Sequence, residues 1–153
     1  MDAIDRGIVA ALAADGRATL SRLSEISGLS TSAVQSRVQR LERSGAIRGY
    51  RADVDYEALG LALTAFIEIT PLDPAAPDDA PEKLLQVPCV EACYSIAGEA
   101  SYLLLTRVAA PSDLEDALHE IRTIANVNTR TKVVLRTYFE HRAAISPVDH
   151  PAD

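Results

Sequence analysis

The chain has 153 residues, a length that fits one ordinary domain or two small ones. Hydrophobic residues make up 48% of it, which is enough for packed cores and argues against a disordered protein. The net charge of −7 alone argues against a nucleic-acid binder, but the charge is unevenly distributed. Residues 1–54 carry eight Arg and six acidic residues, whereas residues 55–153 carry seven basic and sixteen acidic residues. This asymmetry predicts a basic nucleic-acid module joined to an acidic module.

The start of the chain is acidic and has no apolar core, so a secretory signal peptide is not expected. The longest apolar run, residues 59–67, is shorter than the ~20 residues that a membrane-spanning helix needs. Cys89 and Cys93 have no second pair and no nearby His, which is not typical of a structural zinc site. A redox pair and two ordinary half-buried thiols both stay open. The sequence therefore predicts a cytoplasmic protein with no metal, no cofactor and no membrane partner.

Two helices are predicted near the start of the chain, over residues 2–15 and 19–27. Asp2 is the expected N-cap of the first, because its carboxylate can accept an unpaired backbone N–H group. Asp5 places negative charge at the positive end of the same helix dipole. Thr19 is the expected N-cap of the second, shorter helix.

A third helix is predicted within residues 29–45, LSTSAVQSRVQRLERSG, from an N-cap at Ser30 to a left-handed C′ residue at Gly45. An apolar stripe at i, i+4, i+7 forms one face of this helix. The opposite face is polar and cationic, which suits DNA phosphates and base edges. It carries Ser32, Gln35, Ser36, Gln39, Arg40 and Arg43.

A short helix, a turn containing Gly28 and a second helix with a basic outer face form a helix-turn-helix. We predict this domain over residues 1–45, followed by an extended hinge strand and linker over residues 46–60. Three further arginines complete the predicted DNA-binding set: Arg37, Arg48 and Arg51. Arg37 lies towards the flank of the helix face, where it can pair with an acid of the protein instead. A three-helix core without a DNA role is the alternative.

The second half of the chain alternates strand and helix patterns in the order β-α-β-β-α-β. The predicted elements are a strand at 61–70, a loop at 71–77, a helix at 78–86 with Leu84 and Leu85 inward, a strand at 90–97, a turn at 98–100, a strand at 101–109, a helix capped by Ser112, and a strand at 129–139. This order is the ferredoxin-like fold, so the fold class is α+β. We predict this domain over residues 61–145 and a flexible tail over residues 146–153.

A four-stranded antiparallel sheet with both helices on one face leaves its other face uncovered. Apolar side chains on that face need a cover, and a second copy of the same sheet is the simplest one. The sequence therefore predicts at least a homodimer.

These elements together resemble the Lrp/AsnC family, the leucine-responsive or feast/famine transcription regulators. The resemblance is strongest over residues 4–55, from IDRGIVAALAADGRATL to the end of AIRGYRADVD, and spans the helix-turn-helix and the hinge. It is weaker in IAGEASYLLL at residues 96–105 and in NTRTKVVL at residues 128–135. It covers nearly the whole chain.

The resemblance implies that the second domain binds small effectors, usually amino acids, at interfaces between dimers. It also implies that dimers assemble into tetramers, octamers or larger rings. The family's effector turn has a Gly followed three residues later by Asp, whereas this chain has Gly98 and Ser101, with Glu99 inside the turn. The family also has threonines early in the last strand. The residues matched to the effector site are Gly98, Glu99, Ala100, Ser101, Thr129 and Thr131.

An enzyme is not expected, because the sequence has no Gly-rich phosphate loop, no nucleophile elbow and no metal-spaced His cluster. The leading hypothesis is a sequence-selective DNA-binding transcription regulator that responds to an amino acid. An architectural DNA-compacting protein that has lost its effector is the first alternative, favoured by Ser101 in the effector turn. A small-molecule-binding assembly whose helix-turn-helix only dimerises is the second. The five Arg within residues 30–51 argue against that reading.

Overall fold

The computed structural model describes residues 1–75, 77–141 and 143–145, which form two compact units. One unit comprises residues 1–53 with the described residues after 137, and the other comprises residues 54–137. The elements in chain order are α1 (Ala3–Ala14), α2 (Leu20–Ser27), α3 (Thr31–Arg43), β1 (Leu63–Pro71), α4 (Ala80–Leu84), β2 (Val90–Ser95), β3 (Tyr102–Val108), α5 (Pro111–Ala125) and β4 (Val127–Val133). Within the described residues, every helix is too short or too polar to cross a membrane. The predicted tail at 146–153 lies outside the described residues.

All three helices of the first unit begin at the predicted N-caps. The Asp2 carboxylate accepts the N–H of Asp5 at 2.8 Å, and the Asp5 carboxylate accepts the N–H of Asp2 at 3.2 Å. This reciprocal pair satisfies two N–H groups that the first turn of α1 would otherwise leave unpaired. Thr19 caps α2 by accepting the N–H of Arg22, and Ser30 caps α3 in the same way.

The turn between α2 and α3 depends on Gly28, which has a φ of 70°. A side chain at this left-handed angle would clash with the backbone, so Gly is favoured here. The apolar stripes of the three helices meet in one small core. Its buried side chains are Ile8, Leu23, Val34 and Leu41. The predicted helix-turn-helix is therefore confirmed.

Residues 46–55 form no strand within the chain, although an extended hinge strand was predicted there. A strand needs a neighbouring backbone to pair with, and none of the described residues provides one for this segment. The Tyr50 hydroxyl donates to Glu42 at 2.9 Å and so ties the segment to α3. A turn over residues 56–60 follows and ends at Gly60, as predicted.

The second unit is a four-stranded sheet in the order β2-β3-β1-β4, in which all neighbouring strands are antiparallel. Ile67 of β1 lies opposite Leu104 of β3 and Thr131 of β4. Helices α4 and α5 cover the face to which Ile67 and Leu104 point, with Leu84 and Ile121 buried against it. The ferredoxin-like topology and the placement of both helices on one face are confirmed.

Two details of the helices in this unit were predicted wrongly. Leu85 does not point inward, because α4 ends at Leu84 and the Leu85 side chain is 87% exposed. Ser112 does not cap α5, because the helix begins at Pro111 and its N-cap is Ala110. Proline suits the first helical position, where no N–H is needed, and Asp113 accepts the N–H of Ala110 at 3.0 Å.

The last strand begins and ends earlier than the predicted 129–139. It starts at Val127, directly after Asn126 reverses the chain with a φ of 53°. It ends at Val133, which lies opposite Ala65 of β1, and the next N–H, that of Val134, donates to the Thr64 carbonyl at 2.9 Å. Leu135 is 96% exposed. The other strand limits agree with the predicted ones to within two residues, and β1 includes Pro71, the first residue of the predicted loop.

Candidate functional site

The outer face of α3 is open to solvent along its whole length. Val34 and Leu41 anchor the opposite face in the core of the first unit. The exposed side chains are Ser32, Gln35, Ser36, Gln39, Arg40 and Arg43. The Arg43 Nε donates to the carbonyl of Gln39 at 3.2 Å, which directs this guanidinium back along the helix. Hydrogen-bonding and cationic groups therefore share one face, as predicted.

Arg37 and Arg40 reach from α3 to the two acids at the start of α1. The Arg37 Nη1 donates to Asp2 at 2.6 Å and to Asp5 at 2.8 Å. The Arg40 Nη2 donates to both carboxylate oxygens of Asp5, at 2.8 and 2.7 Å. The sequence allowed an internal acid partner for Arg37 only, so the pairing of Arg40 is a correction. We call Asp2, Asp5, Arg37 and Arg40 the α1–α3 cluster.

Asp5 is the centre of the α1–α3 cluster, because its side chain is only 3% exposed. Burial by itself would raise the pKa of Asp5, but hydrogen bonds from Arg37 and from the Asp2 backbone outweigh it and lower that pKa. The hydrogen bond from Arg37 also lowers the pKa of Asp2. Both acids are therefore ionised at neutral pH, and they balance the charge of the two arginines.

Arg48 and Arg51 lie in the segment after α3, and both are exposed. Tyr50 lies between them, and burial together with its bond to Glu42 raises the pKa of its hydroxyl. This bond fixes one point of the segment beside α3.

A cavity of about 340 Å³ opens in the second unit, at the end of the sheet where the turn between β2 and β3 approaches β4. Six of its seven lining residues are polar or charged, and the lining consists of Glu68, Thr70, Glu99, Ala100, Asn128, Thr129 and Arg130. The volume lies at the lower end of the ~300–1,000 Å³ range of small-molecule sites. The cavity is therefore large enough for a small ligand.

The turn between β2 and β3 presents backbone groups to this cavity. The Ser101 N–H donates to the Ile69 carbonyl at 3.0 Å, which ties the end of the turn to β1. Among the described residues, no acceptor pairs with the N–H groups of Gly98, Glu99 or Ala100. Gly98 has a φ of 143°, an angle that other residues rarely adopt, although a Cβ there would meet no atom within 4 Å. Backbone conformation, not space, thus makes Gly98 necessary.

The charged side chains around the cavity form a second group of ion pairs. Arg130 donates to Glu99 at 3.1 Å and lies 3.9 Å from Glu68, which also pairs with Lys132. The hydrogen bond from Lys132 lowers the pKa of Glu68. We call Glu68, Glu99, Arg130 and Lys132 the sheet cluster. A carboxylate and a guanidinium at the same opening match the two charges of an amino acid.

The two predicted threonines belong to the opposite side of β4. Thr131 lies opposite Ile67, whose side chain is in the core beneath the helices. The Thr129 hydroxyl accepts a hydrogen bond from the Arg122 Nε of α5 at 2.8 Å. Thr129 still contributes to the cavity lining, whereas Thr131 does not.

Sequence reasoning missed four lining residues: Glu68, Thr70, Asn128 and Arg130. Side chains alternate between the two faces of a strand, so the neighbours of Thr129 point to the other face. The sequence signal that could have indicated this face was Glu68, a charged residue between the apolar residues of β1. Asp5 was also missed as a partner of α3, although it interrupts an apolar helical stripe, where a buried acid needs a counter-ion.

The sheet face without helices has an apolar centre and charged ends. Phe66, Leu103 and Leu105 lie there, each half-buried, and Tyr94 beside them is 53% exposed. At the end away from the cavity, Arg107 is buried beneath the turn that precedes β1. Its Nε donates to Glu91 at 2.7 Å, and the ring centroid of Tyr56 lies 4.1 Å from its guanidinium carbon.

The described residues contain no group of three or more His, Cys, Asp or Glu side chains placed to hold a metal ion. Both Cys89 and Cys93 are free thiols, and burial raises the pKa of each. A raised pKa keeps a thiol protonated and unreactive at neutral pH.

Family models match both halves of the chain. An AsnC-type helix-turn-helix domain matches residues 1–42, and an Lrp/AsnC ligand binding domain matches residues 64–144. The first match contains all of α1 and α2 and nearly all of α3, and the second contains the cavity and all of the sheet except Leu63.

Known proteins resemble the chain over nearly its full length. The HTH-type transcriptional regulator LrpA of Mycobacterium tuberculosis is 57% identical over 145 residues, which cover 95% of this chain and 97% of that protein. The leucine-responsive regulatory protein of Escherichia coli is 39% identical over 143 residues, covering 88% and 85%. A feast or famine regulatory protein from M. tuberculosis, solved in complex with L-methionine, is 56% identical with a TM-score of 0.92, covering 95% and 99%.

Proposed function

Because the chain belongs to the Lrp/AsnC family of transcription regulators, we propose that it binds double-stranded DNA sequence-selectively and that an amino acid controls this binding. The observation that carries the proposal is the pairing, in one chain, of an exposed polar and cationic α3 with a polar cavity in a ligand-binding domain. The relatives are named as transcription regulators, which supports a non-enzymatic role.

In this proposal, α3 enters the major groove of DNA. Gln35 and Gln39 read base edges, because an amide can donate to and accept from the same base. Arg40 and Arg43 hold phosphates or guanines, with Ser32 and Ser36 as hydroxyl partners at the start of the helix. Arg48 and Arg51 contact the backbone from the following segment. Arg37 contributes to the position of α3, since its guanidinium is bound to two acids of α1.

A salt titration of DNA binding tests this half of the proposal. Each phosphate contact contributes about 0.9 to the slope of log affinity against log salt concentration. We expect Arg43→Ala to reduce that slope and to weaken binding to all sequences, whereas Gln39→Ala reduces the preference for selected DNA over random DNA. Arg22→Ala is the matched control, because Arg22 lies on α2 and pairs with Glu25 in solvent. An unchanged slope in Arg43→Ala would remove this residue from the interface.

The effector half of the proposal places an amino acid in the cavity beside Gly98, Glu99, Ala100 and Ser101. The unpaired N–H groups of the turn suit its carboxylate, and Glu99 suits its ammonium group. Thr129 lies at the cavity, and Thr131 is one step further along the same strand side. The solved complex of the M. tuberculosis relative with L-methionine supports an amino acid as the ligand class.

A thermal-shift screen against the amino acids tests the effector site, because a ligand that binds the folded state raises its apparent stability. We expect at least one amino acid to raise the melting temperature and to change DNA affinity. Gly98→Leu should abolish both effects, since leucine strains a φ of 143° and blocks the turn. Gly7→Leu is a substitution control at an uncrowded glycine of the other unit. A Gly98→Leu variant that responds like the parent would place the site elsewhere.

An architectural DNA-compacting protein is the second candidate function. Ser101 favours it, because this chain lacks a carboxylate at the position where the family's effector turn has Asp. It predicts salt-dependent DNA binding with no response to any amino acid.

We also propose a homodimer built on the sheet face without helices, and larger assemblies of such dimers. The half-exposed Phe66, Leu103, Leu105 and Tyr94 support it, because a monomer would leave them in water. Light scattering at micromolar concentration should give at least twice the monomer mass of 16.4 kDa. A stable monomer would overturn this part of the proposal.

A further inference from the structure

We propose that Asp5 is a positioning residue of the DNA-binding surface: its buried carboxylate holds Arg40 so that the other guanidinium donors meet a DNA phosphate. The inference rests on the proposed DNA binding and adds to it a residue of α1 that does not touch DNA.

Arg40 is held at one end only. Its Nη2 donates to both carboxylate oxygens of Asp5, at 2.8 and 2.7 Å. Among the described residues, its Nε and Nη1 have no hydrogen-bond partner, and its side chain is 56% exposed. A planar guanidinium has five N–H donors, so the bonds to Asp5 leave donors that can serve a phosphate. Arg40 can therefore bind Asp5 and DNA at the same time.

Asp5 is itself held by several hydrogen bonds. Its carboxylate accepts the N–H of Asp2 at 3.2 Å and the Arg37 Nη1 at 2.8 Å, in addition to Arg40. Its own N–H donates to the Asp2 side chain at 2.8 Å. Because the side chain is buried and bonded on several sides, it defines one place for the Arg40 guanidinium.

Holding Arg40 in place before DNA arrives lowers the entropy lost on binding. A long exposed Arg side chain samples many rotamers, and a phosphate contact must otherwise select one of them. Arg37 does not have this role, because its Nη1 bridges both acids and its side chain is 25% exposed. The two arginines of the α1–α3 cluster therefore differ in function, one binding DNA and the other fixing α3 to α1.

A double-mutant cycle on the full chain tests the inference. The variants are Asp5→Asn, Arg40→Ala and their combination, and the probe is a DNA duplex selected by the wild-type chain from a random pool. We expect Arg40→Ala to weaken binding about tenfold in the wild-type background, as for a lost charge-assisted hydrogen bond. In the Asp5→Asn background the same substitution should weaken binding about threefold or less. Glu25→Gln, which removes an exposed acid of the same unit, should leave the tenfold loss unchanged.

Three results would overturn the inference. Equal losses in both backgrounds would mean that Arg40 works without Asp5. A larger loss in the Asp5→Asn background would mean that Asp5 holds Arg40 away from DNA. No loss in either background would mean that Arg40 does not touch DNA. A wild-type chain that binds no DNA would instead refute the proposed function.

A second variant keeps the test decisive if Asp5→Asn does not fold. In Arg40→Lys, a single ammonium group replaces the guanidinium and cannot bind Asp5 and a phosphate with separate nitrogens. We expect Arg40→Lys to lose most of the DNA affinity that Arg40→Ala loses. The two variants should have the same melting temperature. Wild-type affinity in Arg40→Lys would show that a point charge suffices and that positioning has no effect.

Discussion

The α1–α3 cluster and the sheet cluster contain the same chemistry in different surroundings. Each has two carboxylates and two cationic side chains within hydrogen-bond distance. The central acid of the first, Asp5, is 3% exposed, whereas Glu99 of the second is 88% exposed and its partner Arg130 is 69% exposed. Ion pairs of the first kind are part of the fold, and those of the second kind are available to exchange partners.

The two clusters differ because one is exposed to solvent and the other is centred on a buried carboxylate. Water and salt screen an exposed pair, so that its contribution to stability is small and a ligand can replace one partner at little cost. A buried carboxylate has lost its hydration, so removal of its partners leaves an uncompensated charge. Acidic and basic side chains therefore position α3 in one unit, and the same types of side chain form a candidate ligand site in the other.

Among the substitutions that test this contrast, we expect Asp5→Ala to have the largest effect on stability. The substitution removes the partner of two guanidinium groups and half of the reciprocal N-cap of α1. We expect it to lower the free energy of unfolding of the first unit by about 3 kcal/mol. Urea unfolding followed by circular dichroism at 222 nm measures this. Glu25→Ala, which breaks an exposed pair on α2, should leave the transition unchanged. Equal effects of both variants would contradict the comparison.

Acid should remove the stability that the ionised Asp5 carboxylate gives to the fold. The pKa of Asp5 in the folded chain lies below its ordinary value of 3.8, so its ionised form stabilises the fold above that value. This stability is lost as the pH falls through the lowered pKa. The difference in urea midpoint between wild type and Asp5→Asn should be constant from about pH 7 to pH 5 and shrink below about pH 4. A difference that does not depend on pH would mean that the carboxylate charge is irrelevant.

Arg107 and Arg130 test whether burial, and not the choice of unit, sets the effect. Both belong to the sheet face without helices, but Arg107 is 9% exposed and is bonded to Glu91 and Thr64. We expect Arg107→Ala to lower the free energy of unfolding of the second unit by about 2 kcal/mol. Arg130→Ala should change it by less than about 0.5 kcal/mol. If the two substitutions had the same effect, exposure would not explain the contrast between the clusters.

The elements of both units could be predicted because they depend on local rules. The caps Asp2, Thr19 and Ser30 and the β-α-β-β-α-β order follow from side-chain chemistry and from periodicity, and the structure confirms them. The end of the last strand could not be predicted, since it depends on pairing with a strand that is distant in the sequence. The last pair joins Val133 to Ala65, 68 residues earlier in the chain.

The candidate sites were predicted less completely, because they depend on which side chains meet across the fold. The outer face of α3 lies within one helix, so a helical pattern was sufficient to find it. The pairing of Arg40 with Asp5 joins positions 35 residues apart, and the cavity joins β1, β4 and a turn. In β4 the choice between Thr129 and Arg130 depends on which face of the strand the ligand uses, and alternation alone does not give that face.

The smallest expected effect is the coupling between Glu99 and Arg130. Their side chains are 3.1 Å apart, yet both extend into water, so the attraction is screened and competes with side-chain entropy. We expect a double-mutant cycle of Glu99→Gln and Arg130→Gln to give a coupling energy of about 0.5 kcal/mol or less in 0.15 M salt. The same cycle should give a larger value near 0.01 M salt, where the Debye length grows to about 30 Å. A coupling above about 1.5 kcal/mol that does not depend on salt would place this pair with the α1–α3 cluster. It would also mean that a ligand must break a strong bond to enter the cavity, because Arg130 and Glu99 are part of its lining.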